Sequence, residues 1–171
     1  MQRRSFLKAG LVGAIALAAG GAVYRQLHPP RLERYAMDDQ ARAIVAVLVP
    51  VIVGPVLPTE AAARRVALDG AVQRVAGAIS GLPLSTQKEV ADLFALLALA
   101  PTRRLLAGIS DWQTATPEQL SEFLQSWRTH RVDMLQTAYH ALHDLVLGAW
   151  YADPSSWTAV GYPGPLKELS A

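Results

Sequence analysis

Hydrophobic residues recur along this chain at three- and four-residue intervals, the spacing that stacks side chains on one face of an α-helix. Asp38 or Asp39 can cap a first helix through Ala41, Ile44, Val45, Val47 and Leu48. Pro50 is expected to interrupt it, because proline lacks the N–H that an internal turn needs, and Gly54-Pro55 with Pro58 to close it. The segment is apolar almost all round, which predicts the centre of a core rather than one wall. A second helix, about 20 residues long, is expected to open at Thr59. Its apolar stripe is Ala62, Val66, Val72, Val75, Ala76 and Ile79, with Arg64, Arg65, Asp69 and Arg74 mostly opposite. Gly81-Leu82-Pro83 stops it.

Ser85 or Thr86 is expected to cap a third helix, Thr86 and Glu89 having the spacing of a capping box. Its buried stripe is Val90, Leu93, Phe94, Leu97 and Ala98, and Pro101 starts a short fourth segment over residues 102–109. The strongest helix start is Thr116-Pro117-Glu118-Gln119. It joins an N-cap threonine, a proline at the first helical position, an acid near the positive dipole end and a glutamine three residues on. The stripe behind it is Leu120, Phe123, Leu124, Trp127, Arg131, Met134, Leu135, Ala138, Leu142, Leu145, Val146 and Ala149. It keeps the 3.6-residue period for about 30 residues, which predicts one long helix or two with a kink near Thr129. No alternating strand pattern and no internal repeat intervenes, so the predicted fold is all-α, a small helical bundle.

After residue 149 the pattern changes. Trp150, Tyr151, Trp157 and Tyr162 fall among Pro154, Pro163 and Pro165. The prolines exclude a regular helix, and aromatics this dense predict packing against something. Trp150 and Tyr151, at the helix end, are expected in the core. Trp157 and Tyr162, with Pro163, Gly164 and Pro165, are candidate partner-interface residues, because aromatics between prolines lose little freedom on binding.

The N-terminus carries a different signal. Gln2 is followed by Arg3, Arg4, Ser5, Phe6, Leu7 and Lys8, and then by a Gly/Ala-rich apolar run over residues 9–23. Arg3, Arg4, Phe6, Leu7 and Lys8 fit the twin-arginine export signal, and only Gln2 departs from S-R-R-x-F-L-K. That route carries folded proteins across the bacterial inner membrane, so the expected location is the periplasm. Ala16-Leu17-Ala18 fits a cleavage motif but lies inside the apolar run, which is shorter than the roughly 20 residues of a spanning helix. Cleavage and retention as an inner-membrane anchor both stay open. The predicted organisation is a signal segment and linker over residues 1–35 and a helical domain over residues 36–171.

Charge divides at the same boundary. Residues 1–35 carry six Lys/Arg and one Glu, and residues 36–171 carry ten Lys/Arg and thirteen Asp/Glu. The pI near 9.2 therefore reflects the leader, and nucleic-acid binding has no electrostatic support. The chain has no cysteine, which excludes a cysteine nucleophile, a cysteinyl iron–sulfur site and C-x-x-C-H haem attachment. Neither G-x-G-x-x-G nor a P-loop occurs. His140 and His143, beside Asp144, share a helix edge, but no third ligand converges and His130 is about 15 Å away by helix rise. Asp133 and Asp144 are about 16 Å apart on the same count, too far to flank one glycosidic bond. Ser85 and Lys88 match S-x-x-K without its companion motifs. No catalytic, cofactor-binding or metal-binding residue is expected in this chain.

Trp150-Tyr151-Ala152-Asp153-Pro154-(x)2-Trp157-(x)3-Gly161-Tyr162-Pro163-Gly164-Pro165 resembles the closing motif of the gluconate 2-dehydrogenase subunit 3 family. Phe123-Leu124-(x)2-Trp127-Arg128 is also similar, as is a short helical domain behind a twin-arginine leader. The resemblance covers the leader and roughly residues 117–165, and residues 36–110 only in helical outline. It implies a non-catalytic small subunit of a periplasmic, membrane-associated, FAD-dependent sugar, polyol or alcohol dehydrogenase. Its implied partner is a glucose–methanol–choline type flavoprotein large subunit, which holds the FAD and is escorted through the twin-arginine translocase. A cytochrome c subunit is the implied electron acceptor. The reading left open beside it is a stand-alone periplasmic or membrane-tethered helical protein without an oxidoreductase partner.

Overall fold

In the computed structural model, which describes residues 34–164, every regular element among the described residues is helical. The leader positions Arg3, Arg4, Phe6, Leu7 and Lys8, and Pro165 in the tail, lie outside the described residues. The α-helices are α1 (Asp39–Val53), α2 (Ala61–Ser80), α3 (Leu84–Ala98), α4 (Ala100–Ala107), α5 (Pro117–Arg128) and α6 (Asp133–Tyr151).

Helix α1 is the axis of the bundle. Asp38 caps it, its carboxylate accepting the Ala41 N–H at 2.7 Å. Ala41, Ile44, Val45, Leu48, Val49 and Val53 are buried, and α2, α3, α5 and α6 all pack on it. Pro50 does not interrupt it. Proline's fixed φ suits a helix, and the Ala46 carbonyl that loses its partner belongs to an exposed residue where water can take the bond. Burial of Val49 and Val53 on either side carries the helix on to Gly54, which ends it at φ 63 with its N–H returned to the Pro50 carbonyl. By length and composition alone, Asp39–Val56 also meets the requirement for a membrane span.

Helix α2 starts one residue later than expected. Glu60, not Thr59, is the cap, because its two carboxylate oxygens take two orphan N–H groups, of Ala62 at 2.9 Å and of Ala63 at 2.6 Å. The buried stripe is Ala71, Val75 and Ile79, while Ala62 and Val66 are exposed. Three consecutive alanines support the first turn through helix propensity rather than burial.

The capping box expected of Thr86 and Glu89 does not form. Helix α3 begins at Leu84, directly after Pro83, without a side-chain cap, so Ser85 and Thr86 sit inside its first turn. Gln87 organises this corner. It is 1% exposed, accepts the Tyr35 N–H at 2.9 Å, and donates to the carbonyls of Ser80 at 3.1 Å and Leu82 at 2.8 Å. One amide thereby ties the domain's entry to the end of α2 and the turn after it. Gln87→Ala would leave a donor and two acceptors unpaired, so a loss of about 2–3 kcal/mol is expected in urea unfolding. A loss below about 1 kcal/mol would remove Gln87 from this role.

Two indoles join the middle of the chain to α3 and α4. Trp112 donates to the Leu97 carbonyl at 2.9 Å and Trp127 to the Leu106 carbonyl at 2.7 Å. Phe123 lies edge-on to both, with centroids 5.7 Å from Trp112 and 4.7 Å from Trp127. Arg103 adds donations to the carbonyls of Ala98, Ile109 and Ser110.

The Thr116 capping box forms as the sequence predicts. Of the two alternatives for the long periodic run, the structure has two helices, α5 ending at Arg128 and α6 beginning at Asp133. His130 holds the break: its ring accepts the Val132 N–H at 3.0 Å and its carbonyl accepts from Gln136 at 2.7 Å. The break resets the phase of the stripe. Arg131 and Met134 are exposed, and Tyr139 is buried instead.

Candidate functional site

Exposed apolar residues are ordinary when scattered and informative when clustered. Ten large ones are exposed among the described residues, and five of them fall in two places. Leu96 and Met134 line one groove between α3 and α6; Tyr151, Val160 and Tyr162 lie in the tail.

The tail begins where α6 ends. Trp150 enters the core, and its indole N–H is buried without a partner. Tyr151, expected beside it, is 38% exposed. Successive helical residues point about 100° apart, so the pair cannot both face inward. Asp153 then turns the chain, accepting the Ser155 N–H at 3.0 Å and pairing with Arg74 of α2 at 2.8 Å. Arg74 also donates to the Ala149 carbonyl at 2.9 Å, near the open end of α6. Two short 3-10 turns, Pro154–Ser156 and Thr158–Val160, follow.

These turns bring the sequence candidates together. Trp157 donates to the Tyr151 carbonyl at 2.8 Å, and its ring meets Tyr162 edge-on at a centroid distance of 5.2 Å. The Tyr162 N–H closes the loop on the Trp157 carbonyl at 3.0 Å. A Cβ at Gly164 would come within 3.2 Å of the Trp157 ring, so the closing glycine lets the backbone lie on the indole. Trp157 is half-buried, while Tyr162 and Pro163 are exposed. The result is an aromatic clasp on the surface, locked to α2 by Arg74. The sequence marked the aromatics but gave no sign of Arg74, whose bond to Ala149 spans 75 residues.

Hydrogen bonds from the Ser155 backbone and hydroxyl, and then the Arg74 guanidinium, hold the Asp153 carboxyl below its ordinary value of 3.8. A lowered folded-state pKa means that the ionised form favours the folded clasp. Its contribution is complete above the unfolded value and is lost as pH falls through the lowered one. Trp157 fluorescence is therefore expected to change on acidification below pH 3.8, with Asp153→Asn removing that step. An unchanged acid response in the variant would separate Asp153 from the clasp.

The remaining candidates do not converge. His140 and His143 lie against Tyr139, with ring centroids 5.2 and 5.4 Å from it, and His143 Nδ1 is 3.4 Å from Asp144. No group of three His, Cys, Asp or Glu is poised for a metal among the described residues. Lys88 pairs with Asp92 at 2.5 Å, one helical turn beyond it, rather than completing a unit with Ser85.

The second apolar cluster borders a groove that sequence reasoning missed. Helices α3 and α6 both pack on α1 but make little contact with each other. The gap is a cavity of about 370 Å³ floored by Val90, Leu97, Trp127 and Leu135. Leu96 and Met134 stand exposed at its rim, and its charged lining residues are Glu89 and Asp92.

Comparison with family models, curated proteins and solved structures finds no match for this chain. Its candidate surfaces therefore stand on the sequence and on this geometry.

Proposed function

We propose that this chain is the non-catalytic small subunit of a periplasmic FAD-dependent sugar, polyol or alcohol dehydrogenase. It binds the folded flavoprotein large subunit, of glucose–methanol–choline type, in the cytoplasm and carries it through the twin-arginine translocase on Arg3 and Arg4. A cytochrome c subunit then receives the electrons.

The observation that carries this reading is the clasp of Trp157, Tyr162 and Gly164. A tail whose only task was to close the core would turn its aromatics inward. Here Trp150 alone does so, while the next aromatics are fixed on the surface by the Asp153–Arg74 pair. Rigid, partly exposed aromatics are the residues that anchor protein interfaces, because little freedom remains to be lost on binding. They also belong to the segment that resembles the small-subunit family, and the leader explains why such a partner would be bound while still folded.

The test is recovery of C-terminally tagged chain from the native cell envelope under mild conditions, with a visible spectrum and mass spectrometry of what accompanies it. A flavin spectrum and a near-stoichiometric large oxidoreductase are expected. A colourless protein recovered alone would instead favour the stand-alone periplasmic or membrane-tethered reading.

A further inference from the structure

We propose that the groove between α3 and α6 is a second docking site, and that its occupant is an amphipathic helix with a basic edge supplied by a protein partner. The inference does not depend on that partner being a flavoprotein.

Shape argues for a helix. The groove runs between two helices, and no strand edge is available among the described residues for an extended peptide to pair with. A helix lying in such a trough presents side chains at i, i+3 or i+4, and i+7 to an apolar floor. Here Val90, Leu97, Trp127 and Leu135 supply that floor. Leu96 and Met134, 41% and 69% exposed, stand at the rim beside that floor. Together they form a surface of the kind that marks protein contact.

Charge selects the occupant. The charged residues lining the groove are both acidic. Lys88 already holds Asp92, which leaves Glu89 as the carboxylate without an ion pair among the described residues. A second copy of this chain, meeting the groove by two-fold symmetry, would set these acidic rims against each other. A helix with Lys or Arg along one edge matches them instead.

The test uses the full chain and two fluorescein-labelled helical peptides of about 18 residues, long enough to hold a helix, one built of Leu and Lys and the other of Leu and Glu. Binding is read by anisotropy. The Leu/Lys peptide is expected to bind saturably and about tenfold more tightly than the Leu/Glu peptide. Leu96→Glu and Met134→Glu should each weaken it about tenfold. Each adds a negative charge, so indiscriminate attraction of a cationic peptide would strengthen instead. Both side chains are exposed, and unchanged circular dichroism would verify the fold. Glu89→Lys should reverse the preference between the peptides.

Equal binding of the two peptides, or binding that survives Leu96→Glu, would overturn the proposal. So would a dimer in sedimentation analysis that Leu96→Glu converts to monomer, which would assign the groove to a second copy. A co-purifying flavoprotein without peptide binding would remove the groove site alone. Groove-dependent peptide binding without a flavoprotein would retain the groove and remove the escort reading.

Discussion

Replacing Arg3 and Arg4 together with lysine is expected to leave this chain in the cytoplasm, with the proposed flavoprotein partner beside it. Lysine keeps the two positive charges but loses the planar guanidinium fork with its fixed set of donors. A receptor that reads an address by geometry distinguishes the two, whereas a pathway responding to charge alone does not. Fractionation into cytoplasm, membrane and periplasm, with immunoblots of both proteins, gives the result directly. Normal export of the double variant would refute the twin-arginine assignment. Retention of this chain while the flavoprotein still reached the periplasm would uphold the leader and refute the escort.

The largest effect on stability is expected from Trp127→Ala, at about 3–5 kcal/mol. Trp127 is 1% exposed, meets Phe123 at 4.7 Å between centroids, and donates to Leu106 at 2.7 Å. The truncation removes the ring from the packed junction of α4 and α5, leaves a cavity against Phe123, and deprives a carbonyl of its donor. Against the 5–15 kcal/mol that typically holds a domain, this is a large fraction, and the urea midpoint should fall sharply. Trp127→Phe keeps most of the apolar volume and loses the hydrogen bond, so a smaller loss of about 1–2 kcal/mol is expected. Equal losses in the two variants would place the stabilisation in the hydrogen bond rather than in the packing.

What the sequence disclosed about the fold was mostly local. The Thr116 box was legible because its four residues satisfy one another without outside help. The central place of α1 was legible because a helix with so few polar positions has little to present to water. Thr86 and Glu89 had equally suitable spacing, yet Pro83 and the buried Gln87 set that corner, and Gln87 works through Tyr35, 52 residues away. Pro50 was misjudged because burial of its neighbours outweighs one lost bond that water can replace.

The candidate site divides in the same way. The tail aromatics stood out by composition, but the clasp depends on Arg74, which in sequence looked like one more charge on the outer face of α2. The groove had no local signature, since it is a space left where two helices lean on a third. Met134 matched the apolar period and was expected inside. Only the four-residue break before α6 turns it outward.

Helix α6 carries Met134 in its first turn and Tyr151 as its last residue. At 1.5 Å per residue these positions stand about 26 Å apart along a continuous rod. On the proposed reading of the clasp and the groove, the rod is a ruler between two modest grips. Once one grip is taken, the other meets its target at an effective concentration set by geometry rather than by abundance, so weak contacts combine into avidity. Selection then falls on span as well as chemistry. A partner whose matching features are spaced differently keeps one grip and loses the gain, even if each of its contacts is individually sound.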